Sequence, residues 1–466
     1  MKIGPVLAIC AGLCFFPPTA RADESAAAPT TGDITLSVPQ VRSLAIEAAR
    51  SNQPRAVLQL GGGLLKADPR DPMAHYLIAG AQGQLGQPGA GRKSARLAYR
   101  FADTRMHRFE AAEMAARLAW AEERPTLTQL WLRRAVQNAP SPAIEEQLGK
   151  DYATVRAQNP LSFALRAGLR PSSNVNNGAD TALQIVEGVP VTGVLSGSAQ
   201  ALSGLIATSD LSLGYRIAGS ARSQTMIGAR LYLQRVALSD KAKALAPESR
   251  NRDFGYTYSE VSLDHATLLG TSGNSARMGA AVGQMWSAGT RSYDFARLTG
   301  GHSWRLDAAT QVYLSGSLEQ RDMARAGASD STHIGLTGGV SRQLEDGDRL
   351  SFSLSLQKVD SDFVNARSVT ASLRASYAFA EQVGPAQITA GLVIGHSDFS
   401  DYVVFVPVPG GRQDTSIYGD VNLMFPDYDY MGFAPTLRVR TGRKSSNVSR
   451  FDTRELSVSL GIESKF

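Results

Sequence analysis

The chain has 466 residues, of which 43% are hydrophobic and 19% charged, with a formal net charge of +6. This length exceeds one ordinary domain of about 100–200 residues, so we expect more than one domain. A positive surplus this small, spread along the whole chain, does not indicate nucleic-acid binding. Beyond the N-terminus, no run of about 18 consecutive apolar residues predicts a transmembrane helix.

The first 22 residues have the three parts of a secretory signal peptide. Lys2 supplies the positive start, 6–16 form the apolar core, and "ARA" at 20–22 is a small-x-small cleavage site. We expect cleavage after Ala22. Because both cysteines lie in this segment, the mature chain would contain no disulfide and no thiolate metal site. Its net charge would fall to about +4 when the two basic residues of the signal are removed.

After a flexible segment at 23–37, the pattern over 38–159 is helical. Apolar residues recur three or four positions apart, as at Leu127, Leu130 and Trp131. Proline and glycine clusters divide the region into about seven short helices. The sequence therefore predicts an all-α N-terminal domain.

Two segments of this domain resemble the end of a tetratricopeptide repeat. They are "LLKADP" at 64–69 and "AVQNAP" at 135–140, and their prolines are 71 residues apart, close to twice the 34-residue period. Stacked helix pairs of this kind leave a concave face that binds extended peptides or partner helices. The alternative is a helical spacer that binds no ligand.

From residue 160 the hydrophobic period changes to two. The final segment, "ELSVSLGIESKF", places five apolar residues on one face: Leu456, Val458, Leu460, Ile462 and Phe466. Alternation also fits a soluble sandwich with one wet face. Strand length, strand number and loop asymmetry favour a transmembrane barrel, because spanning strands need about 9–11 residues and globular strands average about 5–6.

Fourteen candidate strands can be counted in this half. Their approximate spans are 161–170, 203–217, 222–235, 254–269, 275–288, 291–305, 309–322, 329–343, 347–359, 366–380, 385–398, 412–424, 431–443 and 452–466. If the helical half is periplasmic, the connections on that side are short and the long ones, at 171–202, 236–253 and 399–411, are extracellular.

The predicted fold is thus α+β and multidomain. A signal peptide (1–22) and the flexible segment (23–37) precede a periplasmic tetratricopeptide-like helical domain (38–159). A 14-stranded antiparallel transmembrane β-barrel (160–466) in the cell outer membrane completes the chain. Its lumen should be polar and partly basic, since Arg438, Arg440 and Lys465 face inward by this register. They could hold the barrel in shape by salt bridges or guide an acidic substrate.

The chain offers little recognisable catalytic chemistry. Its six histidines have no metal-ligand spacing. "GHSWR" at 301–305 lacks the second glycine of a nucleophile elbow, and "GAGRKS" at 89–94 lacks the first glycine of a phosphate loop. We therefore predict no catalytic, cofactor-binding or metal-binding residue and no enzymatic activity. The alternative is a hydrolase site assembled in space within the barrel.

A Ser-Ser-Asn-Val motif occurs twice, at 172–175 and at 445–448. In the fourteen-strand interpretation the copies follow strands one and thirteen, on the extracellular side, and flank the closing strand fourteen. The candidate site residues are Ser173, Asn174, Asn176, Asn177, Ser446 and Asn447. Serine and asparagine are good turn residues, which explains the motif without further function. The alternative is one polar cluster that pins or gates the outer end of the seam.

Two segments at the barrel ends resemble the surface lipoprotein assembly modulators (Slam). "SFALRAGLRPSSNVNNGAD" at 162–180 is similar to that family's first strand and its Ser-Asn-x-Asn turn. The segment 432–466 is similar to its last two strands, with Ser446-Asn447 in the Ser-Asn step. It differs at Arg450-Phe451, where the family's aromatic residue is displaced by about one position.

The resemblance implies an exporter that receives a surface lipoprotein or related secreted protein in the periplasm and delivers it across the outer membrane. It implies no cofactor, a monomeric barrel in contact with outer-membrane lipid, and no nucleic-acid partner. Phe466 is similar to the C-terminal aromatic signal that the barrel assembly machinery recognises. The alternatives are a tetratricopeptide-barrel exopolysaccharide export porin and a diffusion porin.

Overall fold

The computed structural model describes residues 35–189, 192–325, 327–430 and 433–464. The predicted signal peptide, most of the segment 23–37, Lys465 and the predicted assembly signal Phe466 lie outside the described residues.

Seven helices lie between residues 35 and 160. Six of them carry proline in the first turn, where its fixed φ suits a helix and its missing N–H costs no hydrogen bond. Asp71, Thr104 and Ser141 cap three N-termini through their side-chain oxygens. The helices are α1 (Val38–Arg50), α2 (Pro54–Ala67), α3 (Pro72–Gln84), α4 (Pro88–Phe101), α5 (Arg105–Ala121), α6 (Pro125–Gln137) and α7 (Pro142–Gln158).

The helical core is built largely from small residues. Ala79, Ala95, Ala112 and Ala115 are fully buried in one cluster that also contains Trp131. At Gly91 an added Cβ would lie 2.7 Å from the carbonyl oxygen of Ala79, so α3 and α4 approach closely only because this residue is glycine. Consecutive helices pack against one another, as in a tetratricopeptide-like stack.

Fourteen long strands form one closed antiparallel barrel, and two short ones form a separate hairpin. The barrel strands are β1 (Leu161–Ser172), β4 (Gly204–Gly219), β5 (Ser223–Leu238), β6 (Tyr256–Leu269), β7 (Asn274–Ser287), β8 (Thr290–Arg305), β9 (Thr310–Met323), β10 (Ser331–Gln343), β11 (Arg349–Ser361), β12 (Ser368–Ala378), β13 (Gln387–Phe399), β14 (Arg412–Met424), β15 (Phe433–Ser446) and β16 (Thr453–Ser464). The hairpin strands are β2 (Leu183–Ile185) and β3 (Thr192–Val194), and a short helix, α8 (Asp240–Leu245), lies between β5 and β6. The predicted fold class, a helical domain followed by a 14-stranded antiparallel barrel, is confirmed.

The barrel exterior is apolar. Many apolar side chains at outward positions are exposed, for example Leu373 at 48% and Leu460 at 62%. Leu456, Val458 and Ile462 face outward with Leu460, as the alternation in the sequence predicts. A continuous apolar exterior of this kind is typical of a barrel that spans a lipid bilayer.

Among the described residues, no helix is both long enough and apolar enough to cross a membrane.

The two barrel ends have different connections. At the end that carries the helical domain, called the near end here, most links are short, as at 220–222, 270–273 and 306–309. At the opposite, far end the longest links are 173–203, 239–255 and 400–411. Short turns on one side and long loops on the other are typical of outer-membrane barrels.

Two adjacent residues of β12 test the inward and outward faces at the same depth. We expect Leu373→Arg, on the outer face, to lower the free energy of unfolding by about 2–4 kcal/mol, because it places a charge in the hydrocarbon region. Ser372→Arg, on the lumen face, should change it by less than about 1 kcal/mol. Guanidinium-induced unfolding in liposomes measures both. Equal destabilisation by the two variants would contradict the assigned faces.

Candidate functional site

The lumen wall is polar, and its charged side chains pair across strands. Arg438 and Arg440 of β15 face inward, as predicted from the sequence. Arg438 lies 3.1 Å from a carboxylate oxygen of Asp420, and Arg440 lies 3.4 Å from Glu455. This inward direction follows from the register, because the neighbouring Leu437 and Val439 pair with the outward-facing Leu460 and Val458 of β16.

Asp420 of β14 is shared by two arginines. Besides Arg438 it contacts Arg374 of β12 at 3.4 Å, across the intervening strand β13. This reach is possible because Gly391 lies beneath the guanidinium: a Cβ there would be 2.6 Å from its Nη2 atom. A single carboxylate therefore links three strands of the wall.

Glu455 of β16 is shared in the same way. It lies 2.7 Å from Arg170 of β1 and 3.4 Å from Arg440 of β15. A second ion pair, Arg166 with Glu463 at 3.2 Å, also joins β1 to β16. Side chains thus bridge the two strands at which the barrel closes.

The backbone pairing at this closure is short. Among the described residues, the ladder between β1 and β16 joins 167–169 to 460–462 and Ser172 to Ser457. On its other side, β1 pairs with β4 along its whole length, from Leu161 with Tyr215 to Ser172 with Gly204. Pro171, which has no N–H, lies in the gap of the shorter ladder.

Strands β4 to β9 carry balanced ion pairs and aromatic rings on their inward face. Glu319 pairs with Arg297 at 3.2 Å and Arg321 at 2.6 Å, and Arg297 also pairs with Glu260. These two carboxylates and two guanidiniums balance, as do Asp210 and Arg230, which lie 2.8 Å apart.

Beside these pairs, four rings form two inward-facing stacks on β5, β6 and β8. Tyr232 stacks on Tyr256 with 5.4 Å between ring centroids, and Tyr258 stacks on Phe295 with 5.3 Å. Stacked aromatic rings supply flat apolar surface inside an otherwise polar wall.

The helical domain is attached at the near mouth of the barrel. Arg216 of β4 donates hydrogen bonds to the carbonyl oxygens of Ala157 (3.0 Å) and Gln158 (2.8 Å), at the C-terminus of α7. A guanidinium there satisfies carbonyls that the helix leaves unpaired and complements the helix dipole. Arg133 of α6 also lies over the ring of Phe433, at 5.1 Å.

The end of α7 reaches the lumen. Arg156 of α7 lines a cavity at the near mouth together with wall residues that include Ser162, Asp264 and Arg277. The helical domain therefore lies at the near mouth of the lumen.

Folded loops at the far mouth pack against one another and against inward positions of the barrel, and are called the cap here: 173–189, 192–203, 239–255, 400–411 and 447–452. One apolar cluster joins the loops 173–203 and 239–255 to inward positions of β4 and β5. Its buried members are Val175, Leu202, Ile206, Val236, Leu238, Ala242 and Ala246. A second cluster contains Val186, Val408 and Val448, which come from the loops 173–203, 400–411 and 447–452 respectively.

An arginine in an aromatic cage fastens the cap to the barrel. Arg412 lies 3.6 Å from the ring centroids of both Phe399 and Phe451, and 4.8 Å from that of Tyr402. It also makes a bidentate pair with Asp414 at 3.0 and 3.1 Å. Desolvated cation–π contacts of this kind are worth about 2 kcal/mol or more each.

Sequence reasoning missed this cage and the carboxylates Asp420 and Glu455. The alternation in the sequence could have identified Asp420 and Glu455, because it places both carboxylates on the inward face. The cage gave no such signal, because Phe451 reaches Arg412 through a loop conformation.

The first Ser-Ser-Asn-Val copy folds its own loop. Asn174 and Gly178 exchange two hydrogen bonds of 2.8 Å. Asn176 donates to the carbonyls of Ser198 and Gln200 and accepts from the N–H of Leu202.

Asn177, next in this loop, has a φ of +54°, a left-handed conformation that asparagine tolerates. Ser173 lines a cleft at the far end, described below.

The second copy does the same for a different loop. Asn447 accepts from the N–H of Gln413 and donates to the carbonyl of Gly411, both at 2.8 Å. The Ser446 hydroxyl accepts from the N–H of Val448, whose side chain is fully buried. Asparagine therefore satisfies backbone groups in both copies.

The two copies lie close together at the far end. Ser173 and Asn174 line the same cleft as Ser445. Two backbone hydrogen bonds join the two regions: Asp180 N–H donates to the carbonyl of Asp452 at 3.1 Å, and Glu187 N–H to that of Asn447 at 2.9 Å. The Ser449 hydroxyl adds two more, donating to the carbonyl of Leu183 and accepting from the N–H of Ile185. The asparagine side chains do not make these contacts.

Within the described part of the chain, no group of three His, Cys, Asp or Glu residues is arranged to hold a metal ion.

No family profile and no curated protein sequence matches the chain. Among solved structures, the outer membrane channel DcaP of Acinetobacter baumannii is similar with 10% identity and a TM-score of 0.37, over 66% of this chain and 97% of that one. An outer membrane channel of Pseudomonas putida F1 is similar with 13% identity and a TM-score of 0.31, over 65% and 94%. The type III secretion translocator chaperone SycD of Yersinia enterocolitica is similar with 14% identity and a TM-score of 0.24, over 26% and 84%.

The fold therefore defines a class of protein. The chain is a membrane-spanning β-barrel of the outer-membrane type, with a tetratricopeptide-like helical domain at one mouth and a folded cap at the other.

Replacing Asn447 with alanine tests the cap. The variant leaves the Gln413 N–H and the Gly411 carbonyl without this partner, a loss of about 1–3 kcal/mol, or roughly 5- to 150-fold in a local opening equilibrium. We expect amide hydrogen exchange in 400–411 and 447–452 to accelerate accordingly. Asn422→Ala, near the other end of β14, is the matched control. Unchanged exchange in the Asn447 variant would show that the side chain does not hold the cap.

Proposed function

We propose that this protein is an outer-membrane exporter for polypeptides. It receives a surface lipoprotein or related secreted protein in the periplasm on its helical domain and delivers it across the outer membrane through the barrel. The observation that carries this proposal is the attachment of the helical domain at the lumen entrance, where Arg216 holds the end of α7.

The helical domain suits the capture of a polypeptide. Stacked helix pairs present an extended surface to a peptide or a partner helix, and the described helices pack consecutively in this way. Since Arg156 of α7 lines the near-mouth cavity, cargo bound on the helices would be released beside the lumen.

The asymmetry of the connections supports a periplasmic helical domain. In bacterial outer-membrane barrels the short turns face the periplasm and the long loops face outward. The near end has the short turns and the far end has the cap, so the helices would lie on the periplasmic side. This orientation also suits a chain that the barrel assembly machinery inserts from the periplasm.

In this proposal the cap covers the lumen at the far end until its loops move. Export would require the two apolar clusters of the cap to separate from β4 and β5 or from one another. A folded cap of this kind limits leakage of periplasmic contents when no cargo is present.

A second candidate is the export of a polysaccharide. The stacked pairs Tyr232–Tyr256 and Tyr258–Phe295 provide aromatic surface in the lumen wall, on which sugar rings could pack. Under this proposal, deletion of the gene would reduce extracellular polysaccharide and leave the surface exposure of neighbouring secreted proteins unchanged.

The export proposal is tested by surface exposure of cargo. We express the full chain with each secreted or lipid-anchored protein encoded beside its gene, and digest intact cells with a protease. Cargo should be cleaved only when the chain is present. Equal cleavage without the chain would refute polypeptide export.

A pair of arginine variants tests the junction. Arg216→Ala removes the hydrogen bonds to α7 and should reduce cargo exposure several-fold. Arg222→Ala is the matched control, since Arg222 lies in the next turn and bonds to the barrel's own Gly270. Heat-dependent mobility in detergent gels confirms that both barrels are folded. Equal export by both variants would show that the junction is not needed for transfer.

A further inference from the structure

We propose that one wall of the lumen is an anion-binding surface that selects acidic polypeptide segments. It consists of Arg170, Arg374, Arg438 and Arg440 with the carboxylates Asp420 and Glu455, and is called the basic stripe here. The inference names the charge class of the cargo and so rests on the proposed export function.

The stripe has more positive than negative charges. Each carboxylate is shared by two guanidiniums, so four arginines face two acids and the stripe carries a net charge of +2. The ion pairs on strands β4 to β9, around Glu319 and Asp210, balance. The surplus among these paired groups therefore lies on the strands from β12 to β1.

The arginines of the stripe are more exposed to the lumen than the carboxylates that they pair with. The side chain of Arg438 is 46% exposed and that of Arg374 is 41% exposed, whereas Asp420 between them is 9% exposed. Arg440 is 39% exposed against 24% for Glu455. A substrate passing the stripe would meet guanidinium groups that cover their own counter-ions.

Because two arginines share one carboxylate, some of their N–H donors remain available to a substrate. Two guanidiniums have ten N–H donors between them, and one carboxylate has about four acceptor sites. The remaining donors can bind further carboxylates in the geometry that arginine prefers. A charged wall in a narrow, low-dielectric channel also focuses the field and concentrates ions of opposite sign.

The arrangement favours a peptide over another polyanion. A helical stack suited to peptides lies at the near mouth. The stripe runs from β12 to β1, and β1 is the strand that follows the last helix of this stack. Arg440 also lies 4.6 Å from the ring centroid of Tyr418, which gives the stripe an apolar neighbour for side chains between the acidic ones.

The test measures binding without export. A fluorescent ten-residue oligoglutamate is titrated with the full chain in detergent, and its anisotropy gives the dissociation constant. We expect binding that weakens with salt and is not reproduced by a ten-residue oligolysine. The double variant Arg438→Gln with Arg440→Gln should weaken binding about tenfold or more, since charged hydrogen bonds are lost.

Two further variants keep the result interpretable if the double variant folds poorly. Asp420→Asn adds to the surplus and should strengthen binding, an effect that misfolding cannot produce. Arg230→Gln with Asp210→Asn removes a balanced pair of β4 and β5, outside the stripe, and should leave binding unchanged.

Three outcomes would overturn the inference: no oligoglutamate binding, binding that is indifferent to the stripe variants, or tighter stripe-dependent binding of a uronic acid oligomer. The last result would favour an anionic polysaccharide. If oligoglutamate binds as expected but cargo exposure does not depend on the chain, the proposal of polypeptide export is refuted, whereas the inference that the lumen binds acidic peptides is supported.

Discussion

The closure of β1 onto β16 is the constraint on which the rest of the structure depends. A bilayer offers no hydrogen-bonding partner to an open sheet edge, so a spanning sheet must close. Closure fixes which face of every strand meets lipid and which meets the lumen. It also brings the two ends of the barrel sequence side by side, so that Arg166 and Arg170 of β1 can pair with Glu463 and Glu455 of β16.

The inward face then has to stabilise charges in a confined space. Pairing lowers the cost of desolvating these charges. When two arginines from different strands share one carboxylate, a single acidic residue fixes side chains on three strands. Asp420 shows how this depends on backbone shape, because Arg374 reaches it only over Gly391. Because each carboxylate of the basic stripe is shared by two arginines, this wall carries an excess of positive charge. Structural support and selection of acidic substrates are therefore two results of one arrangement.

Periodicity explains why so much of the fold could be predicted from sequence. A period of two over long segments identifies both the strands and the face of residues such as Leu460 and Arg438, and proline marks the helix starts. Periodicity does not specify contacts between distant segments. It could not reveal that Arg412 is enclosed by Phe399 and Phe451, because loop 447–452 has no repeating pattern and its path is set by tertiary packing.

The repeated Ser-Ser-Asn-Val motif combines both kinds of information. Its position at two strand ends beside the seam followed from strand counting, and its asparagines satisfy loop backbone groups, as turn chemistry predicts. The connection across the seam comes instead from the backbone N–H groups of Asp180 and Glu187, which bind Asp452 and Asn447, and from the hydroxyl of Ser449. Because the ladder of β1 with β16 is short, these links add hydrogen bonds where the barrel has fewest. The asparagine hydrogen bonds therefore order the loops, and the hydrogen bonds between the ordered loops join the two sides of the seam at its far end.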